Sequence, residues 1–463
     1  MYNVPADFIN EQKVWKALES NQNPESSRIH EVLAKASEMK GLNLDDVSVL
    51  TCISDPEMLS ELFNTANKVK DTIYGKRLVL FAPLYISNLC ANECLYCAFR
   101  ATNKDIVRSS LSQEHIAREV EVLMNQGHKR ILLVAGESYP QRGFQYVLDS
   151  IRTIYSVKNE HGEIRRVNIN VAPLTTDEFK LLKAEGIGTY QIFQETYHRE
   201  TYLKVHLGGK KRDYNWRAWS LHRAMEAGID DVGIGVLFGL FDYRFEILAM
   251  MQHINELEEK FGVGPHTVSV PRLEPATNSD LASHPPFPVS DIDFRKIVAI
   301  LRLAVPYTGI IMSTRETAKM RRETFALGVS QISAGSKTNP GGYEEEDKVS
   351  SQFSLGDHRS LDEVIRDVAS MGYIPSFCTA CYRLGRTGQD FMDLAKPGDI
   401  RLHCGPNALS SFKEYLQNYA SSETVQVGNN LIKDTIAGMS GLAKQRAEKL
   451  VKRVEAGRDD VYC

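Results

Sequence analysis

Apolar residues recur at helical spacing through roughly the first 70 residues, and then the period changes. Segments 24–39 and 55–74 read as helices, with Ser54 and Asp55 able to cap the second. Short apolar runs follow at 78–86, 130–135, 167–172, 189–193, 231–238, 267–273, 308–313 and 330–334. They are rich in Val, Ile and Leu without strict alternation, as parallel strands buried on both faces should be. Amphipathic segments lie between them. One starts at Ser112 and runs to Gly127; another opens on a Thr175/Glu178 capping box and stops at Gly186. Further helices fit 216–227, 244–261, 290–305 and 314–327. Eight strands alternating with helices over about 270 residues predict an α/β protein with a (β/α)8 barrel. A doubly wound open sheet is the runner-up, because periodicity does not show closure. Beyond Gly341 and Gly342, the acidic stretch 344–347 reads as a solvated loop. Ser360 with Glu363 then opens a helix to Met371, a cysteine-bearing segment covers 376–404, and helices fit 408–420 and 441–455. The expected organisation is an N-terminal helical extension (1–74), the barrel (75–343) and a mostly helical C-terminal domain (344–463). No sequence repeat or low-complexity tract interrupts it.

Composition narrows the function more than the fold. The chain has 463 residues, 43% hydrophobic and 25% charged, which is the balance of an ordinary globular protein. Lys and Arg total 55 against 59 Asp and Glu, so no basic field argues for nucleic acid. The longest apolar stretch, 297–305, is broken by Arg302 and falls well short of the ~18 residues of a membrane span. Residues 1–10 lack a basic region followed by an apolar one, so a cytoplasmic location is expected. Six of the eight cysteines fall into two trios: Cys90, Cys94, Cys97 and Cys378, Cys381, Cys404. Trios do not suit a disulfide framework in a chain of this length; metal-bound thiolates fit better.

The first trio has the spacing Cys-x3-Cys-x2-Cys and follows directly on the first predicted strand. That is the mouth where barrel active sites sit. Three thiolates suit a cubane iron–sulfur cluster whose fourth iron stays open for a ligand. The competing reading is a zinc site completed by a distant His or Cys. The motif, with Tyr96 beside it, resembles the radical S-adenosylmethionine (SAM) superfamily. In that superfamily the open iron chelates SAM, and an electron from the cluster cleaves the sulfonium to methionine and a 5′-deoxyadenosyl radical. Gly136-Glu137-Ser138 after the second strand resembles the Gly-Gly-Glu element that contacts the SAM amino group, with Ala135 in place of the first Gly. Glu195 after the fourth strand and Arg217 on the next helix are similar to SAM contacts of the biotin-synthase-like branch. An ammonium acceptor and a fork-shaped carboxylate donor are what an amino-acid moiety needs; the bland alternative is a surface ion pair. Gly233-Ile-Gly235 resembles the adenine-side element, although strand glycines often only admit a close backbone.

The second trio has the spacing Cys-x2-Cys-x22-Cys. It reads either as a zinc knuckle closed by His403 or as an auxiliary iron–sulfur cluster with one iron available. With its flanking strings Ser376-Phe-Cys-Thr-Ala-Cys-Tyr-Arg383 and Cys404-Gly-Pro-Asn-Ala-Leu409, and with Ser313-Thr-Arg-Glu316 and the run from Gly335 to Tyr343, it resembles the tyrosine-lyase maturases of FeFe-hydrogenase over almost the whole chain. That resemblance implies a second cluster carrying an extra iron held partly by His266, with free cysteine as a candidate ligand. It implies cleavage of L-tyrosine to p-cresol and dehydroglycine, then CO, cyanide and an Fe(CO)2(CN) unit for the hydrogenase. It also implies a low-potential donor of the ferredoxin or flavodoxin type and other hydrogenase maturation proteins as partners. His266 stands before its strand, so it either reflects a shifted boundary or points to the barrel's other mouth. Arg315, with Ser333 or Ser336, is the candidate receptor for the tyrosine carboxylate, whereas Arg321 and Arg322 are expected to face solvent. Cys52 reads as a small buried hydrophobe, Cys463 as a mobile terminus, and Trp216 and Trp219 as packing on one helix. Two other readings stand: the 2-iminoacetate synthase of thiazole biosynthesis and a non-enzymatic iron–sulfur scaffold.

Overall fold

The structure, a computed structural model, describes residues 5–140, 142–160, 162–345, 350–396 and 398–463. Eight parallel strands form its centre: β1 (Arg77–Ser87), β2 (Arg130–Ala135), β3 (Arg166–Asn170), β4 (Tyr190–Gln191), β5 (Val232–Gly235), β6 (Thr267–Ser269), β7 (Gly309–Met312) and β8 (Val329–Ser333). Each pairs with the next, and β8 pairs back onto β1 through Val79–Gln331, Leu80–Ile332 and Phe81–Ser333. The sheet is therefore closed, and the open doubly wound alternative is excluded. All eight predicted strands are present, most of them shorter than their apolar runs.

The helices follow their sequence signals. Asp55 caps Pro56–Ile73 through the Glu57 and Met58 amides, with Pro at the first turn where no donor is missed. This helix packs on Asp291–Ala304, and Glu11–Ser20 packs on Tyr243–Phe261, so the N-terminal helices clothe one side of the barrel. The Thr175/Glu178 and Ser360/Glu363 capping boxes both form. Gln145–Ser156, between β2 and β3, is a helix the pattern did not announce. The helix expected over 216–227 is two short ones, Tyr214–Ala218 and Ser220–Glu226, broken at Trp219. Trp216 stacks on Arg223 at 3.7 Å and Trp219 meets Phe8 edge-on at 5.2 Å, so both pack, as expected, but Trp216 from the first helix and Trp219 from the break between the two.

A ninth strand, β9 (Ile374–Ser376), was not predicted. It pairs in parallel with Arg77–Val79, the first residues of β1, and ties the C-terminal region to the barrel's N-terminal mouth. Helix Arg401–Asn418 starts seven residues before the expected 408. Gly405-Pro406 reads as a breaker, but the Leu402 carbonyl that Pro406 cannot serve accepts instead from Arg446 Nη1 at 3.0 Å. Of the acidic loop, Glu344 pairs with Arg118 at 2.8 Å, and Glu346 and Asp347 lie outside the described residues. No helix among the described residues is long and apolar enough to cross a membrane.

Candidate functional site

Beyond β1 the chain turns over the C-terminal mouth of the barrel. Asn88 pins the turn, donating to Val107 O and accepting from Ser109 N, both at 2.7 Å. Glu93–Cys94 then forms a two-residue strand against His206–Gly208. Cys90, Cys94 and Cys97 all border a cavity of about 200 Å³, which also meets Tyr96, Gly136, Glu137, Glu195, Lys211, Arg217, Arg315, Ser333 and Ser336. Tyr96 is fixed by His206: the His206 Nδ1–H donates to Tyr202 O at 2.8 Å, leaving Nε2 to accept from the Tyr96 hydroxyl at 2.8 Å. Burial pushes the Cys90 thiol up to about 11 and raises Cys94 and Cys97 as well. Such thiols become thiolates when a metal displaces their protons.

Gly136 admits the cysteine loop. Its amide donates to Ser87 O at 2.9 Å, and a Cβ there would stand 2.2 Å from the Leu89 carbonyl oxygen. Gly136→Ala is expected to cost about 1–3 kcal/mol of stability, read as a lowered Tm; an unchanged Tm would show that the loop yields freely. Gly233 and Gly235 do different work: they let Gln191 and Phe193 pack against β5 and do not border the cavity. Ser138 also stays outside the cavity lining.

Glu137, Glu195 and Arg217 are brought together. Arg217 donates to Glu137 at 2.9 Å, to Glu195 at 3.2 Å and to Phe193 O at 2.6 Å. They form a buried network and not a surface ion pair. Burial would raise the Glu137 carboxyl, but Arg217 and Lys211 outweigh it and hold it below its usual range. Glu195 sits at φ +71°, a left-handed conformation costly for a side chain with a Cβ. Buried Glu246 holds the following turn, accepting from Thr196 Oγ1 and from the Tyr197 amide.

Two members of this network were not singled out by sequence. Lys211, 9% exposed, donates to Glu195 at 2.7 Å. It lies in a Lys-Lys-Arg run that reads as solvated surface. Asn92 donates to Glu137 at 2.7 Å and accepts from the Lys211 amide at 3.0 Å; its place inside the cysteine motif was the available signal.

Arg315 lies over the Phe353 ring at 3.3 Å, Ser333 Oγ accepts from the Thr314 amide, and Ser336 Oγ is buried without a partner. Arg321 does not face solvent. It is fully buried, paired with Asp357 and donating to Ser333 O, because its helix, Ala318–Phe325, turns that side onto β8. Arg322 is half exposed and pairs with Asp367.

The second trio gathers at the opposite mouth. Cys378 follows β9, Cys381 lies in helix Ala380–Arg383, and Cys404 in the first turn of Arg401–Asn418. With His266 they border a cavity of about 60 Å³ also lined by Arg77, Arg130, Asp231 and Arg386. His266 precedes β6 and so stands at the strands' starting ends, its Nδ1 3.3 Å from Asp231 Oδ1. His403 does not border this cavity. A hydrogen bond from Cys381 lowers the Cys404 thiol, with help from Arg77 and Arg386, while Cys381 is raised. Cys463 is not mobile: its amide and carbonyl pair with Asn407, and its carbonyl accepts from Arg386 at 2.9 Å. Among the described residues no three His, Cys, Asp or Glu side chains converge as a ready single-ion site.

The radical SAM superfamily model matches residues 84–254, and the Biotin and Thiamin Synthesis associated domain matches 269–374. The 2-iminoacetate synthase of Escherichia coli (strain K12) is 33% identical over 75% of this chain and 90% of its own. A crystal structure of HydG, a maturase of the FeFe-hydrogenase, superposes with a TM-score of 0.96 at 48% identity, covering 99% of this chain and 100% of that one. HydG from Carboxydothermus hydrogenoformans gives 0.86 and 42%, covering 98% and 99%. The chain is thus a radical SAM enzyme on a closed (β/α)8 barrel. That class works with a 4Fe–4S cluster and SAM, and three thiols around one cavity fit the need. Within it, the chain belongs to the HydG family of FeFe-hydrogenase maturases.

Proposed function

We propose that the chain cleaves the Cα–Cβ bond of L-tyrosine to p-cresol and dehydroglycine, and converts dehydroglycine to CO and cyanide for an Fe(CO)2(CN) unit. The observation that carries this reading is the second thiol trio with His266, at the barrel mouth opposite the first. A cluster held by Cys90, Cys94 and Cys97 with SAM on its open iron would supply the 5′-deoxyadenosyl radical. Glu137, kept ionised by Arg217 and Lys211, offers an acceptor for the SAM ammonium, and Arg217 a donor for its carboxylate. Tyr96 walls the cavity beside the cysteines. Arg315 and the unspent Ser336 hydroxyl offer donors for the tyrosine carboxylate, with Ser333 beside them. The barrel walls would shield the reacting carbon from water. At the other mouth Cys378, Cys381 and Cys404 would hold the second cluster, and His266 the extra iron, with free cysteine completing its shell. A low-potential ferredoxin- or flavodoxin-type donor and the other maturation proteins complete the setting.

The test is anaerobic reaction of the reconstituted protein with tyrosine, SAM and reductant. p-Cresol, CO and cyanide together are expected. p-Cresol without CO or cyanide would favour the 2-iminoacetate synthase reading, which the 33% identity supports. Fully loaded protein that yields no 5′-deoxyadenosine would favour the scaffold.

A further inference from the structure

Three acidic side chains border the cavity at the C-terminal mouth: Glu137, Glu195 and Glu274. The first two are committed to Arg217, Lys211 and Asn92. Glu274, five residues beyond the end of β6, has no ion pair or side-chain hydrogen bond among the described residues. Its neighbour Arg272 is taken by Glu316 and Asp291. Arg315 is close enough to act on Glu274 electrostatically, yet its guanidinium only covers the Phe353 ring. Ser336, 6% exposed on the same wall, keeps a hydroxyl with no partner. A free carboxylate, a free guanidinium and a free hydroxyl thus face one cavity.

Of the three, only the Ser336 hydroxyl is buried without a partner, a costly state, while Glu274 and Arg315 are half-buried at the cavity wall. Burial pushes Glu274 up to about 6, with Glu316 adding to it and Arg315 and Arg272 only partly offsetting it. The wall therefore lacks a cation at Glu274 and an anion at Arg315, the two charges a zwitterionic amino acid carries on adjacent groups.

We propose that Glu274 receives the ammonium group of the amino-acid substrate while Arg315 receives its carboxylate. This rests on the tyrosine reading above and adds the residue that selects for an α-amino group.

The experiment uses holoenzyme with SAM and without reductant, and measures affinity for L-tyrosine, for 3-(4-hydroxyphenyl)propanoate, which lacks the amino group, and for SAM. Glu274→Gln is expected to weaken tyrosine roughly 10- to 100-fold, the size of a lost charge-assisted hydrogen bond. Propanoate and SAM affinities should stay within about twofold, and Glu274→Asp should regain part of the tyrosine affinity. Unchanged tyrosine affinity, equal loss for tyrosine and propanoate, or loss of SAM in place of tyrosine would each overturn the assignment. A wild-type holoenzyme that fails to bind tyrosine sinks the tyrosine reading itself, and Glu274's role with it.

Discussion

Replacing Cys94 by alanine is expected to reduce 5′-deoxyadenosine formation to background. Cys94 is 4% exposed and sits in a short strand whose pairing with His206 is main-chain. Alanine keeps that pairing and deletes only the sulfur, so the barrel should fold with a nearly unchanged Tm. What is lost is one of three donors around a site with no fourth cysteine on its wall. Two thiols cannot hold a cubane with one open iron, and the effect should be all or none. Iron content should fall by one cluster, while Cys52→Ala, at a residue that borders neither cavity, leaves turnover intact. SAM cleavage at the wild-type rate by the Cys94→Ala protein would show that the trio is not the radical-generating site.

The second large effect should separate the two mouths. The double change Cys378→Ala and Cys381→Ala is expected to leave p-cresol formation near the wild-type rate and to remove CO. β1 has 11 residues, and at about 3.3 Å per residue it sets the mouths roughly 30 Å apart. Arg130 grips the Cys378 carbonyl, not its sulfur, and β9 pairs with β1 through its backbone. The C-terminal segment should therefore stay docked without the two thiols. Normal CO release by this variant would mean that the second trio has no part in it.

The barrel was legible because its strands are buried on both faces and its helices carry their caps in the sequence. Arg130–Ala135, six buried residues in a row, left little choice. The first trio was legible because its three donors lie within eight residues. Legibility failed where a residue's role is set by distant chain. Lys211 looks like a solvated charge until Glu195 and Asn92 arrive from other loops. Arg321 looks exposed until Asp357 comes back to meet it. Strand β9 is three residues with a proline in the middle, too short for any period, and exists because the start of β1 offers it an edge. His266 could be named from resemblance, but only closure of the barrel shows that the residue before β6 faces the opposite mouth to Cys90.

The second cavity has mixed ownership. Cys378, Cys381 and Cys404 come from the tail, but Arg77, Arg130, Asp231 and His266 stand at the starts of barrel strands or just before them. A tail transplanted onto a related barrel would bring the sulfurs and Arg386, but neither Arg77 and Arg130 nor the imidazole that face them. Conversely, cutting the chain before β9 would leave those barrel residues lining a hole. The site is a seam between two parts of the chain, and exchanging such tails between relatives requires recutting the barrel's floor as well.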